Sequence, residues 1–406
     1  MKVVIIENIA PLYRFTLWQK LTKVSDPEYY FVSSAKSLNG IAVIDPRYAR
    51  KSVQEGGLRW HFIRNLILLK RVIWQFGSIP FALKSDFDAY VFLGEMNILS
   101  IWISAIICRL RKKNVLFWGH GLYGNEGYIK KRIRLLFYKI PHGHFIYNER
   151  SRELMIKEGF DSKKLFVIYN SLDYDYHKSL LNSVTEEELL TLKKTLFPKN
   201  PDSPIVIFIG RLTAEKKIQQ LLQSIKYIID DGKKINCIII GNGENDLALK
   251  KLATDLNVNN FVKFYGPCYD EKENAMLLSV ADCCVSPGNV GLNAIHSLSF
   301  GTPVITHNDL NHQNPEISSV IENITGELFE YNNVGNLVDQ MKELIFVKGK
   351  QHYRNNCIKI VDEYYNPYNQ VEIFNGALNT INNNLGNKSY SNIKMRSNWT
   401  NFKNTN

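Results

Sequence analysis

No stretch of this chain approaches the roughly eighteen consecutive apolar residues that a membrane-spanning helix needs. The best candidate, Ile98 to Cys108, is interrupted by serines and closed by the basic run RLRKK. The start, MKVVIIENIAP, holds an apolar run of only four residues before Glu7, too short for a secretory leader, and reads as a first strand. A soluble or peripheral protein is expected. Cysteine is sparse, and Cys108, Cys237, Cys268, Cys283, Cys284 and Cys357 contain no C-x-x-C pair. Most of them sit in apolar runs and read as buried thiols in a reducing compartment. Acidic residues are scarce in the first half: residues 1–170 carry 27 Lys and Arg against 13 Asp and Glu, a net of +14, while the remainder has 23 against 26, a net of −3. The first half should therefore meet an anionic surface or ligand, the candidates being a membrane, a nucleic acid or a phosphorylated substrate. A solvated basic surface is the plainer alternative.

What is present points to two α/β domains, because 406 residues with 45% hydrophobic content exceed one comfortable core. Short apolar runs at 3–6, 29–33, 89–93, 115–118, 143–147 and 165–169 alternate with helical stretches, as a parallel sheet with crossover helices requires. This predicts a first domain over 1–170. Residues 171–203, with an acidic helix and the turn FPKNPDSP, read as a connector. Strand-like runs resume at 205–209, 236–240, 261–264, 282–285 and 303–306, giving a second domain over 204–366. An amphipathic helix over 367–381 follows. The Asn-rich residues 382–406 are expected to be disordered.

The stretch CCVSPGNVGLNAIHSLSFGTPVIT, Cys283 to Thr306, organises the second domain. An apolar run ends at Val285, Ser286-Pro287-Gly288 breaks it, and Leu292, Ile295 and Leu298 then fall on one helical face. Gly301-Thr302-Pro303 stops that helix before another buried run. In such a βαβ unit, the loop at a strand's carboxyl end faces a ligand, and amides near Val290, Gly291 and Leu292 would favour an anion. An ordinary βα turn without a ligand fits the same pattern. After the domain's first strand, Gly210 permits close backbone approach while Arg211 and Lys216 supply two cations, which suits a diphosphate. The run GNGENDL resembles a dinucleotide loop but has Asp246 where the third glycine should be.

In the first domain, His120 and Glu95 each follow a strand, and Asn8, Tyr13 and Arg14 follow the first one. Asp173-Tyr174-Asp175 has the form of a metal-binding carboxylate pair, but its place in the connector argues for an exposed turn. Three basic clusters stand out: RWHFIRNLILLKRVIW, RLRKK and KKRIR. In the first, Trp60, Ile63, Ile67 and Trp74 among Arg59, Arg64, Lys70 and Arg71 suggest an interfacial helix, with a core helix bearing a solvated face as the alternative.

Taken together, GRLTAEKKI, IIIGNGE, FYGPCYDEKENAMLLSVADCCVSP, GLNAIHSLSFGTPVI, PEI and ITGELF resemble glycosyltransferase family 4 in order and spacing, strongly over about 204–345. The first half resembles it more loosely, through WGHGLYG and VIYNSLD. The resemblance implies the α/β GT-B fold, two Rossmann-like domains facing across a cleft with the last helix returning to the first. It implies retaining transfer from a nucleotide-sugar donor without a metal or other cofactor. Arg211 and Lys216 would hold the diphosphate, and the segment 265–270, including Tyr265 and Gly266, would meet the nucleobase. Gly210 and the loop Gly288, Asn289, Val290, Gly291 and Leu292 would line the sugar and phosphate. His120 would act from the acceptor domain, where Asn8, Tyr13, Arg14 and Glu95 would line the acceptor side. That acceptor is expected to be a saccharide or polyprenyl-linked saccharide at the cytoplasmic face of a plasma membrane, in bacterial envelope polysaccharide assembly. No nucleic-acid partner is implied.

The departure is equally specific: family members usually carry two glutamates separated by seven residues, and here those positions are Gly288 and His296. A glutamate accepts from both ribose hydroxyls, whereas neutral His accepts from one. His296 is thus expected on the donor, in an active subgroup. A noncatalytic nucleotide-sugar-binding protein is the rival reading, with a basic nucleic-acid binder behind it.

Overall fold

The computed structural model describes residues 1–38, 40–68 and 71–384. Two compact units emerge. Among the described residues, the first comprises 1–173 together with 366–384, and the second comprises Tyr174–Tyr365.

The first unit is built on a seven-stranded sheet of order β3-β2-β1-β6-β7-β8-β9, all parallel. Its strands are β1 Lys2–Ile9, β2 Glu28–Ser34, β3 Trp60–Phe62, β6 Ala89–Leu93, β7 Asn114–Gly119, β8 Gly143–Ile146 and β9 Leu165–Val167. Residues Val3 to Ile6 are fully buried on both faces, as a parallel sheet covered by helices on each side demands. The helix Phe15–Lys23 turns Leu17, Trp18 and Leu21 inward, and Trp18 stacks on Phe31 with ring centroids 4.3 Å apart. The C-terminal helix Pro367–Asn384 buries Ile373, Phe374, Ala377, Leu378 and Ile381 in this same core. Phe374 lies 5.1 Å from the Trp118 ring and 4.4 Å from Phe145. Gln370 fastens the helix start, accepting from Ser171 Oγ at 2.5 Å and donating to the Tyr169 carbonyl at 3.1 Å.

One expectation is overturned here. RWHFIRNLILLKRVIW is not a helix: it supplies β3 and the antiparallel hairpin β4 Arg64–Leu68 with β5 Val72–Phe76, paired Arg64 to Phe76 and Leu66 to Trp74. The run is rich in β-branched and aromatic residues, and burial of Ile73 and Gln75 alternates with more open neighbours, so strand pairing outweighs the fortuitous helical spacing. The helix proposed for membrane contact therefore does not exist in that form.

The second unit has a six-stranded parallel sheet, β12-β11-β10-β13-β14-β15. Its strands are β10 Ile205–Ile209, β11 Asn236–Ile240, β12 Val262–Gly266, β13 Cys283–Ser286, β14 Val304–His307 and β15 Gly326–Phe329. Residues 174–203, expected as a connector, group with this unit and contribute the helices Tyr174–Ser183 and Glu186–Leu196. The second of these begins with a capping box between Thr185 and Glu188. The tail expected to be disordered lies outside the described residues from 385 onward, and residues 382–384 continue the last helix.

In both sheets the strand order reverses once, between β1 and β6 in the first and between β10 and β13 in the second. Ligands of open α/β sheets bind at the carboxyl ends of the strands flanking such a reversal.

Candidate functional site

At the reversal of the second unit, β10 delivers Gly210 and Arg211 while β13 delivers the loop from Pro287 to Leu292. Lys216 donates to both the backbone oxygen and Oδ1 of Asn289, each at 2.6 Å. The ammonium is thus aimed at the loop. Burial, and next the charge of Arg211, push the Lys216 pKa below its usual value. A second cation beside a half-buried ammonium is unfavourable, and an anion between them would reverse the sign.

The organising loop is fixed from behind. Gly288 donates to the Lys216 carbonyl at 3.0 Å, and a Cβ built on Gly288 would lie 1.9 Å from the Glu215 oxygen and 2.7 Å from the Lys216 Cα. Glycine here is dictated by backbone packed on backbone, so the missing glutamate has a local physical cause. Gln313 holds the next residue, accepting from the Val290 amide at 2.9 Å while donating to Thr306 Oγ1 at 2.8 Å. The Val290 amide is therefore already satisfied. Gly291 takes φ +55, a left-handed conformation that admits the turn into the helix Asn293–Ser299. The glycines of GNGENDL also serve packing: Cβ atoms on Gly241 and Gly243 would meet the Gly210 and Leu212 carbonyls at 1.8 and 2.4 Å.

After β12, Tyr265 donates its hydroxyl to Glu273, and Cys268 Sγ donates to the same carboxylate at 3.2 Å. Gly266 bends with φ +86. His296, expected on the donor, has its Nε2 2.6 Å from Glu271 Oε1, which also lies 2.9 Å from His177 Nε2. A ribose hydroxyl could use only Nδ1 while that bond persists.

At the reversal of the first unit, Asn8, Tyr13, Arg14, Glu95 and His120 line one cavity of about 310 Å³. This is within the size range of small-ligand pockets. Arg14 is buried and already committed, donating to Glu7 and to the Tyr147 hydroxyl, with its guanidinium 4.0 Å from the Trp118 ring centre. It braces the wall of the cavity. Asn8 accepts from Asn65 through its carbonyl, and Gln75 Nε2 donates to the Glu7 carbonyl at 3.0 Å, so the β4–β5 hairpin steadies this strand end. His120 has a buried Nδ1 without a partner, and burial, then Arg14 and Arg134, lower its pKa to about 4. It is a neutral imidazole. Burial raises the Glu95 pKa against the pull of Arg134 and Lys130. The cavity thus offers weakly charged hydrogen-bonding groups, suited to hydroxyls.

Glu7, Tyr147, Gln75 and Gln313 escaped the sequence reading. Tyr147 and Gln75 act through partners distant in sequence, and Glu7 and Gln313 through contacts that only the folded strand ends bring together.

Asp173 and Asp175 are exposed. Among the described residues, the one group of three or more His, Cys, Asp or Glu side chains close enough to share a metal ion is His177, Glu271 and His296.

Residues 193–361 match the family model described as Glycosyl transferases group 1. The chain is similar to the alpha-monoglucosyldiacylglycerol synthase of Streptococcus pneumoniae, 27% identical over 141 residues, or 34% of this chain and 30% of that protein. It is also similar to the GDP-mannose-dependent alpha-(1-6)-phosphatidylinositol dimannoside mannosyltransferase of Mycobacterium tuberculosis, 31% identical over 108 residues, 26% of this chain and 27% of that protein. The chain thus spans about three tenths of these relatives' length. Among solved structures, HepE of Anabaena in complex with UDP superposes with a TM-score of 0.71 at 14% identity, covering 94% of this chain and 100% of HepE. That likeness is one of fold.

Proposed function

Because the chain is a glycosyltransferase family 4-like protein of the GT-B fold, we propose that it transfers a sugar from a nucleotide-sugar to a saccharide acceptor with retention of anomeric configuration. The observation that carries this reading is the pair Arg211 and Lys216 at the sheet reversal beside the Gly288–Leu292 loop. Both cations would stabilise the charge that grows on the departing diphosphate as the anomeric bond breaks. The acceptor hydroxyl would attack from the face of the leaving phosphate, which takes its proton. Glu95 would orient that hydroxyl, and neutral His120 would hydrogen-bond the transferring sugar. No metal enters this step.

The acceptor we propose is lipid-linked, at an anionic membrane surface, in assembly of a bacterial envelope polysaccharide. Two relatives are named for glycolipids, one as a monoglucosyldiacylglycerol synthase and one as a phosphatidylinositol dimannoside mannosyltransferase. The surface of the first unit is suited to such an acceptor: in the helix Tyr128–Tyr138, Ile129, Ile133 and Leu136 are exposed on one face, beside the basic run Lys130, Lys131 and Arg132. The helix Leu99–Leu110 exposes Leu99, Ile103, Ile106 and Leu110, and Trp102 meets Phe137 between the two helices at 4.8 Å. An apolar stripe with flanking cations is the composition of an interfacial helix. No described helix is long and apolar enough to cross a membrane. The cytoplasmic leaflet is the proposed location.

The test is a screen of UDP-, GDP-, ADP- and CMP-sugars with polyprenyl-linked and free saccharide acceptors, reading product by mass and binding by thermal shift. Product from one donor supports the proposal. Stabilisation by a nucleotide-sugar without product from any acceptor favours the noncatalytic reading, which the Gly288 and His296 positions motivate.

A further inference from the structure

We propose that the second unit carries a site for one zinc-class divalent ion, formed by His177, Glu271 and His296. The three side chains come from three helices: Tyr174–Ser183, the first position of Glu271–Val280, and Asn293–Ser299. Their ligating atoms all lie within 4.8 Å of one another. Both imidazoles direct Nε2 at the same oxygen, Glu271 Oε1, at 2.9 and 2.6 Å. Two imidazole nitrogens and a carboxylate oxygen are thereby gathered around one point, the arrangement a bound cation would use.

The surroundings fit an ion better than a solvated ion pair. The side chains of His177, His296 and Glu271 are only 7%, 14% and 27% exposed. The two rings lie 5.2 Å apart, and Phe300 closes the site with its ring 5.3 and 5.7 Å from them. The second oxygen of Glu271 is approached by Asn274 Nδ2 at 3.4 Å, an outer partner that steadies the carboxylate.

Donor chemistry selects the metal. Two imidazoles and a carboxylate suit Zn²⁺ and its neighbours Co²⁺ and Ni²⁺, not Mg²⁺ or Ca²⁺, which prefer oxygen. Tetrahedral bonds of about 2.0–2.1 Å set ligand atoms about 3.4 Å apart. Small side-chain rotations would open the observed contacts to that spacing and leave a fourth position for water. The ion would take the place of the two Nε2–H bonds, each ring binding as a neutral imidazole with its proton on Nδ1, and would tie the helix Tyr174–Ser183 to the two helices that follow β12 and the 288–292 loop. It would act as a clamp, apart from Arg211 and Lys216 and apart from the transfer step.

The test uses the full chain, stripped with chelator and dialysed. Co²⁺ titration should give a visible absorption band that saturates at one equivalent and is displaced by Zn²⁺, and Zn²⁺ should raise the melting temperature where Mg²⁺ does not. His177→Gln and His296→Gln should each weaken Co²⁺ binding by more than about 100-fold, beyond the loss of an outer-shell partner. If either variant fails to fold, Glu271→Gln, which keeps the shape, carries the same expectation. Absence of a stoichiometric band in the wild-type chain, or a band unchanged in these variants, overturns the proposal.

Discussion

The two units repeat one topology and put different chemistry at the same place. Each sheet reverses once, and each reversal opens onto the candidate residues. In the second unit the opening is electropositive, with Arg211 beside a Lys216 whose charge is already disfavoured by burial, and glycine lets backbone come close. In the first unit the arginine at the opening, Arg14, is neutralised by Glu7, burial holds the His120 pKa down at about 4, and burial raises that of Glu95. By its charge, one opening is suited to an anion and the other to hydroxyls. Topology fixes where a ligand goes, and local charge decides which ligand it is.

The largest break in that contrast should come from removing the cations. Arg211→Ala and Lys216→Ala should each lower turnover at least about 100-fold, the worth of a donor to a leaving group being roughly 2.7–4 kcal/mol. Circular dichroism should be unchanged. Near-normal rates in both variants would erase the distinction between the two openings.

Next in size is Gly288→Ala. Its Cβ would sit 1.9 Å from a backbone oxygen, so the loop must move, and donor affinity should fall at least about tenfold, or roughly 1.4 kcal/mol. Gly335→Ala, in the helix Val334–Lys342, is the control: the new Cβ meets only Asn333 Oδ1 at 3.4 Å, and melting should hold or rise. Equal effects of the two would show the loop to be pliant.

On the other unit, Glu95→Gln should raise the acceptor KM several-fold and leave donor affinity unchanged in calorimetry. A shift in donor affinity instead would mean the first opening does not select hydroxyls.

Smaller still is the membrane effect. Sedimentation with anionic vesicles should weaken as salt rises, and Ile129→Ser with Ile133→Ser should weaken it further. Binding that ignores both salt and these changes would remove the helix Tyr128–Tyr138 from the interface.

Much of this architecture is legible in the sequence. The buried parallel strands announce themselves because both faces are covered, so Val3–Ile6 and Ile205–Ile209 appear as unbroken apolar runs. The β4–β5 hairpin did not, because its apolar residues lie at spacings that satisfy a helix and Leu66, Ile67 and Leu68 stay exposed on both faces of β4. Strand β15 was missed for a related reason: Glu327 interrupts GELF, yet it is buried and paired with Lys348 at 2.8 Å. At the site, residue types at strand ends located Arg211, Lys216, Glu95 and His120. Their partners could not be located, since Lys216 meets Asn289 from 73 residues away and Arg14 meets Tyr147 from 133. The convergence of His177 and His296 on Glu271 likewise exists only after folding.

The most direct measurement is calorimetric titration of nucleoside diphosphates into the wild-type chain and Lys216→Ala at several pH values. The Lys216 pKa is depressed in the free protein and would be restored by an adjacent diphosphate. Binding should therefore be tightest where the ammonium is already formed. It should weaken, with proton uptake, as pH rises past that depressed pKa, and Lys216→Ala should bind weakly and lose this pH dependence. Identical affinities for the two proteins at every pH would contradict the placement of the donor diphosphate at Lys216.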